Sequence, residues 1–268
     1  MLKVCCPVCG LPLEQANPVW RCEAGHSFDV ARQGYVNLLT VDRKHSRQPG
    51  DSPAQLHSRR TFLSEGHYAP LARRVGELVA EEHPAAVLDA GCGEGYYLTE
   101  LADILPQTER WGVDISKEAV RMAAARDKSA RWLTATAAHL PFADASFDCV
   151  LSMFALTAEG EFRRVLRPGG LFLQVLSGPD HLLALRKLIY PELLHREKEQ
   201  HRALEGFTLE RSETVEFSFT LTENRQILDL LAMTPHYMRI SKEGADRARA
   251  AQSLTDTFQA VCNCYRAI

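Results

Sequence analysis

The spacing of apolar positions divides the chain into two unlike parts. From residue 84 onward, short apolar runs alternate with amphipathic stretches. Val87-Leu88-Asp89-Ala90 predicts a buried strand, a helix follows over about 96–104, and Trp111-Gly112-Val113-Asp114 ends the next strand. Further strands are predicted at 130–135 and 147–152, and the turn Leu166-Arg167-Pro168-Gly169-Gly170 leads into another at 171–175. Strands separated by helices are the pattern of βαβ units and a mostly parallel sheet. Residues 215–220 alternate with period two and 256–265 do so less cleanly, which predicts a terminal hairpin closing the sheet. Residues 182–203 and 223–250 read as helical insertions over the substrate side. Before residue 40 the pattern differs: 28–39 reads as strand, turn, strand, and 42–52 is polar, basic and broken by Pro49-Gly50, as a linker is.

Cysteines change the picture of the first part. Cys6-x2-Cys9-x12-Cys22-x3-His26 sets two short ligand pairs about a dozen residues apart, the arrangement of a tetrahedral zinc site. Pro7, Gly10 and Gly25 supply turn chemistry at the two knuckles. Cys5 competes for one position, but only Cys6 gives the commoner two-residue knuckle with Cys9. Four protein ligands leave no open position, so the expected zinc is structural, and so short a segment depends on it for folding. Cys262 and Cys264 share one strand face and are expected to be packed thiols.

Composition bounds the partners. The 268 residues carry 31 basic and 34 acidic side chains, a net charge of −3. That excludes a histone-like nucleic-acid coat. No apolar run approaches the roughly 18 residues of a membrane span, and the N-terminus has no signal-peptide core, so the expected compartment is the cytoplasm. The average conceals a split: residues 1–62 hold eight basic and five acidic side chains (+3), leaving −6 for the remainder.

The turn after the first body strand reads Asp89-Ala90-Gly91-Cys92-Gly93-Glu94-Gly95. Its glycines are expected to let a ligand approach a helix N-terminus without a Cβ in the way. Asp114, at the end of the next strand, suits a ribose diol. Asp89 and Glu94 crowd the turn with negative charge, which repels a pyrophosphate and tolerates a sulfonium or ammonium cation. That favours S-adenosylmethionine over a dinucleotide. The following loop, Ala138-His139-Leu140-Pro141-Phe142, is placed to flank an adenine. At this point the stretch from about 85 to 220 resembles the class I S-adenosylmethionine-dependent methyltransferases. The resemblance implies an α/β, Rossmann-like fold with a mostly parallel seven-stranded sheet, here preceded by a small zinc-ribbon β module.

More of the chain carries a narrower resemblance. Gly34-Tyr35-Val36-Asn37-Leu38-Leu39, Pro49-Gly50-Asp51-Ser52, Gly66-His67-Tyr68, Gly178-Pro179-x-His181-Leu182, Leu204-Glu205-Gly206-Phe207 and Met233-Thr234-Pro235, with the cysteine head and the glycine turn, are similar to the bacterial 23S ribosomal RNA guanine-N1 methyltransferases. The resemblance implies methyl transfer from S-adenosylmethionine to N1 of one guanosine in a ribosomal RNA hairpin loop, with the zinc module helping to hold RNA. It implies that Tyr68 and His181 flank the cofactor beside Asp89, Gly91, Gly93, Glu94, Gly95 and Asp114. The residues alone favour a hydrophobic plug for Tyr68 and a helix-terminal residue for His181, and the resemblance reverses both. The expected division is a zinc module over 1–40, a basic linker and lead-in helix over 41–66, and the methyltransferase domain over 67–268, with a homodimer as an admissible assembly. No residue declares itself as the base for guanine N1; Glu159 and His181 are the candidates. Phe154, His236 and Tyr237 are candidates to stack on an extruded guanine, whereas Asp148 is expected to make structural hydrogen bonds. The family's Ala-Pro after the fourth strand is Ala155-Leu156 here. The competing readings are a methyltransferase of small molecules and a non-catalytic RNA-binding adaptor.

Overall fold

The computed structural model describes residues 3–43, 50–193 and 200–268. Parts of the expected linker (44–49) and of the first helical insertion (194–199) lie outside the described residues. The head is a three-stranded antiparallel sheet of β1 (Leu13–Gln15), β2 (Val19–Cys22) and β3 (Ser27–Asp29), with β2 central. The chain then makes the two-residue strand β4 (Val36–Asn37) and helices α1 (Pro53–Ser64) and α2 (Ala69–Ala80). Ser52 starts α1 by accepting from the Gln55 backbone N–H while the Gln55 side chain accepts from Ser52, a capping box, and Pro53 occupies the first turn.

The body alternates as its apolar spacing requires: β5 (Ala86–Ala90), α3 (Tyr96–Ile104), β6 (Glu109–Asp114), α4 (Lys117–Arg126), β7 (Arg131–Thr134), β8 (Phe147–Met153), α5 (Glu159–Val165) and β9 (Leu166–Ser177). There follow α6 (Leu183–Ile189), β10 (Phe207–Leu221), α7 (Asn224–Ala232), α8 (Lys242–Ala250) and β11 (Leu254–Ala267). The strand order is β10-β11-β9-β8-β5-β6-β7-β4. Strands β4 through β9 run parallel to one another, and β11 is antiparallel to both β9 and β10. The terminal hairpin is therefore present.

The sheet has eight strands rather than the expected seven. Val36 and Asn37 pair in parallel with Leu133 and Thr134 at the edge left open beyond β7. An unpaired parallel edge is a row of unsatisfied backbone groups, and the chain covers it with its own N-terminal segment.

Consecutive residues of the central strands serve opposite faces. Val87, Cys149 and Leu151 join one core with α2, α3, α4, α6 and α7 residues, whereas Leu88, Val150 and Phe172 join the other. That second core also contains Val4, Leu13, Trp20 and Cys22 of the head together with Phe162 and Val165 of α5. The head thus occupies a face of the sheet and shares its apolar interior. Asp148 accepts from the backbone N–H of both Ala85 and Ala86 at 2.9 and 2.8 Å and pairs with Arg167, the structural role expected of it. Cys262 and Cys264 are buried. Among the described residues no helix is long and apolar enough to cross a membrane.

Candidate functional site

Strand order reverses at β5, whose neighbours are β6 on one side and β8 on the other. In an open parallel sheet the crevice at such a switch point, beyond the carboxyl ends of the strands, is where ligands bind. A cavity of about 440 Å³ lies there. Its walls are Ala90, Gly91 and Gly93 at the end of β5 and in the turn beyond it, Val113 to Ser116 at the end of β6, Thr136 to Ala138 after β7, and Met153 to Leu156 at the end of β8. A fifth wall comes from outside the alternating body: Gly50, Asp51, and Leu56 and Arg59 of α1.

The turn's three glycines divide their work. All have positive φ (93°, 55° and 87°), a region that favours glycine. A Cβ at Gly93 would point into open space near the Arg59 guanidinium, 3.9 Å away. At Gly91 it would strike the Ala155 Cβ at 2.7 Å, and at Gly95 it would strike Ala123 and Trp132, both at 2.8 Å. Gly95 therefore permits α3 to pack against α4 and β7, a different role from the expected ligand approach.

The acidic residues differ in the same way. Asp114 lines the cavity and accepts from the Gly93 N–H at 2.9 Å and the Ser116 N–H at 2.8 Å. Burial raises its pKa, and those two hydrogen bonds oppose the rise. Asp89 is fully buried, and neither carboxylate oxygen has a hydrogen-bond partner among the described residues. Burial, and secondarily the charge of Asp114, push its pKa up to about 8. Glu94 turns away into an ion pair with Arg126 at 2.7 Å. Burial raises its pKa and Arg126 opposes this.

Tyr68 and His181 lie outside the cavity lining. Tyr68 is buried among Phe62, Phe219 and Phe258, and its hydroxyl has no hydrogen-bond partner among the described residues. The His181 Nδ1 accepts from the Gln259 N–H at 3.3 Å, and its ring stands 6.1 Å from that of Phe154. Phe154 does line the cavity. It is 41% exposed and has φ +54°, strained for an aromatic residue and of the kind that clusters at functional sites. Glu159 faces Arg202 at 3.8 Å, and His236 bonds the Tyr190 hydroxyl at 3.0 Å. Tyr237 is exposed. None of these three lines the cavity. The loop expected to flank an adenine meets the cavity only at its first residue. Of its residues 138–142 only Ala138 lines the cavity, beside Thr136 and Ala137 that precede the loop; Phe142 packs on Trp111 and Phe147 and bridges to Val4, while the Pro141 carbonyl accepts from the Cys5 N–H at 2.9 Å. Leu140 to Phe142 anchor the head.

In the head, the Sγ atoms of Cys6, Cys9 and Cys22 and a ring nitrogen of His26 all lie within 4.8 Å of one another. Cys9 and Cys22 sulfurs are 3.7 Å apart, and Cys22 Sγ is 3.5 Å from His26 Nδ1. Zinc–sulfur bonds near 2.3 Å and zinc–nitrogen bonds near 2.0 Å in a tetrahedron put ligand atoms about 3.5–3.8 Å apart. The donor set fits one zinc ion.

Comparison with known proteins identifies both parts. A family model described as RlmA, N-terminal, a zinc ribbon, matches residues 4–47, and a methyltransferase-domain model matches 87–170. A 23S rRNA (guanine-N1-)-methyltransferase of Micromonospora griseorubida is 41% identical over 203 residues, covering 67% of each chain. One of Bacillus subtilis, YxjB, is 32% identical over 245 residues, covering 86% of this chain and 85% of its own. The chain belongs to the 23S rRNA (guanine-N1)-methyltransferase family. A further relative, the 23S rRNA (guanine(748)-N(1))-methyltransferase of Streptomyces fradiae, is 38% identical and covers 67% of this chain and 65% of its own. In the cavity itself, the contribution of α1 is what residue-by-residue reading missed. A usable signal was present: the Ser52-Pro53-x-Gln55 capping box starts a helix and sets Arg59 two turns inside it.

Proposed function

We propose that the chain transfers a methyl group from S-adenosylmethionine to N1 of a guanosine in a hairpin loop of 23S ribosomal RNA, in the cytoplasm. The observation that carries the reading is the joining of a Cys3His head to a switch-point cavity whose turn is acidic. When bound, S-adenosylmethionine supplies an electrophilic sulfonium methyl, and displacement at that carbon needs alignment above all. Gly91 and Gly93 admit the cofactor against the backbone, Asp114 receives the ribose, and Asp89 offers its unpartnered carboxylate to the cationic end. Tyr68 and His181 would close the far side, with Glu94 and Gly95 supporting the turn from behind. Phe154 supplies an exposed aromatic face at the cavity mouth, suited to a base extruded from its stack. Cys6, Cys9, Cys22 and His26 hold zinc in a module over 1–40 that contacts RNA. Residues 41–66 lead into the methyltransferase domain at 67–268. The homodimer admitted by the sequence would show as a doubled mass in light scattering.

Methylation at N1 blocks the pairing edge of guanine, so reverse transcription should stop one nucleotide before the target. Primer extension on 23S RNA from cells with and without this gene is expected to show one such stop, present only with the gene. Unchanged RNA together with methylation of a small acceptor would favour the rival reading.

The site also has an expected pH dependence. With its pKa pushed up to about 8, above the ordinary 3.8, Asp89 holds a proton in the fold that the unfolded chain releases. On its own this group therefore lowers stability as pH climbs through that interval. A cationic ligand favours the ionised form, so affinity for S-adenosylmethionine is expected to rise toward pH 8 and flatten above it, with proton release near neutrality. Calorimetry in buffers of different ionisation enthalpy reads this directly. Asp89→Asn should abolish the proton release, and release that survives would assign it to another group.

A further inference from the structure

We infer that Arg59, on the lead-in helix α1, is the residue that grips the carboxylate of the cofactor's methionine half. The assignment rests on S-adenosylmethionine as the ligand and adds a residue that neither the glycine turn nor the family resemblance singles out. Among the described residues, Arg59 is the only cationic side chain in the cavity lining. The glycine turn beside it is acidic, with Asp114 in the wall and Asp89 buried next to it, and Asp51, paired with Arg59, is the other acid in the lining. The wall formed by Thr136, Ala137 and Ala138 carries no charge and suits a neutral base. S-Adenosylmethionine carries two cationic groups, a sulfonium and an ammonium, and one anion, the carboxylate. Within that acidic lining the guanidinium is the one cationic partner available among the described residues for the carboxylate.

The geometry of Arg59 agrees. Its Nη2 pairs with Asp51 at 2.7 Å and donates to the Met233 carbonyl at 3.2 Å, which holds the guanidinium plane in place. Its Nη1 stands over Gly93, 3.9 Å from where a Cβ would be. Its Nε–H is buried and has no hydrogen-bond partner among the described residues. A guanidinium presents planar pairs of donors that match a carboxylate, and it stays charged beside acids. The same contacts tie α1 to the residues after α7 through the Met233 carbonyl, so one side chain joins the lead-in helix, the glycine turn and the C-terminal insertion.

The test measures calorimetric affinity of the full chain for S-adenosylmethionine and for its decarboxylated analogue. The native protein is expected to prefer the carboxylate-bearing ligand by roughly 10- to 100-fold. Arg59→Gln should weaken S-adenosylmethionine to the level of the analogue and leave the analogue within about twofold of its native affinity. Arg59→Lys, which keeps the charge and loses the fork, should fall between them. Retained analogue binding shows that each variant is folded. If both ligands weaken equally, or neither does, Arg59 does not grip the carboxylate. Loss of RNA binding with an unchanged ligand preference also overturns the assignment and gives Arg59 to the RNA backbone. A native protein that binds both ligands alike defeats only this inference, whereas one that binds neither defeats the cofactor reading as well.

Discussion

Gly93→Arg is expected to abolish S-adenosylmethionine binding, by more than about 100-fold, while leaving the chain folded. The substituted side chain meets no wall, since only the tip of Arg59 comes within 4 Å of its Cβ. It would fill the cavity and set a second guanidinium against the first. The backbone cost is that of a left-handed residue at φ +55°, about 1–2 kcal/mol. Gly95→Ala, two residues along, is expected to do the reverse. Its Cβ would lie 2.8 Å from both Ala123 and Trp132, inside the packed contact of α3 with α4 and β7, at φ +87°. Overpacking adds about 1–3 kcal/mol to the backbone strain. The sum corresponds to a melting temperature lower by roughly 5–15 °C in a domain of this size. Affinity in the fraction that remains folded should stay close to native. Calorimetric titration and thermal melting of the two variants separate the effects. Normal cofactor affinity in Gly93→Arg would remove the switch-point cavity as the binding site.

What was legible in the sequence was local. The knuckle spacing of Cys6, Cys9, Cys22 and His26 is fixed by bond geometry over a few residues, so the ligand group assembles as the spacing says. The alternation of strands and helices was legible because each element buries a face against the same sheet. The pairings of the N-terminal segment with the body were not. β4 is only two residues long, and nothing in Val36-Asn37 announces a partner at Leu133-Thr134. Phe142 reads as an aromatic near the cofactor because the loop after β7 leads there. It turns instead to Val4, since the head needs an apolar anchor that its own few residues cannot supply. Arg59 was passed over because a basic side chain just after a basic linker looks like part of a solvated surface.

Replacing Cys9 and Cys22 together by serine is expected to cost the protein its zinc and its action on RNA. Two of four ligands go, and the metal's contribution to folding, of order 10 kcal/mol or more in isolated zinc modules, goes with them. A freestanding module would unfold without consequence for the rest. Here the head shares a core with the body. Val4, Leu13 and Trp20 are buried in one cluster with Trp111, Phe142 and Phe147, and β4 covers the edge of β7. Melting of the whole chain should therefore fall by several degrees on metal loss, with apolar surface exposed around Phe142. The cofactor turn stands on β5 and β6, away from that face, so affinity for S-adenosylmethionine should change by less than about tenfold. RNA affinity should fall further and lose part of its salt dependence, because the head and linker carry a net charge of +3 over residues 1–62 while the remainder carries −6. The measurements are zinc content, melting temperature, and binding of a ribosomal RNA hairpin at two ionic strengths. Unaltered melting in a zinc-free variant would show that the head packs on the body without stabilising it. RNA binding that kept its full salt slope would move the nucleic-acid surface off the head and onto the methyltransferase domain.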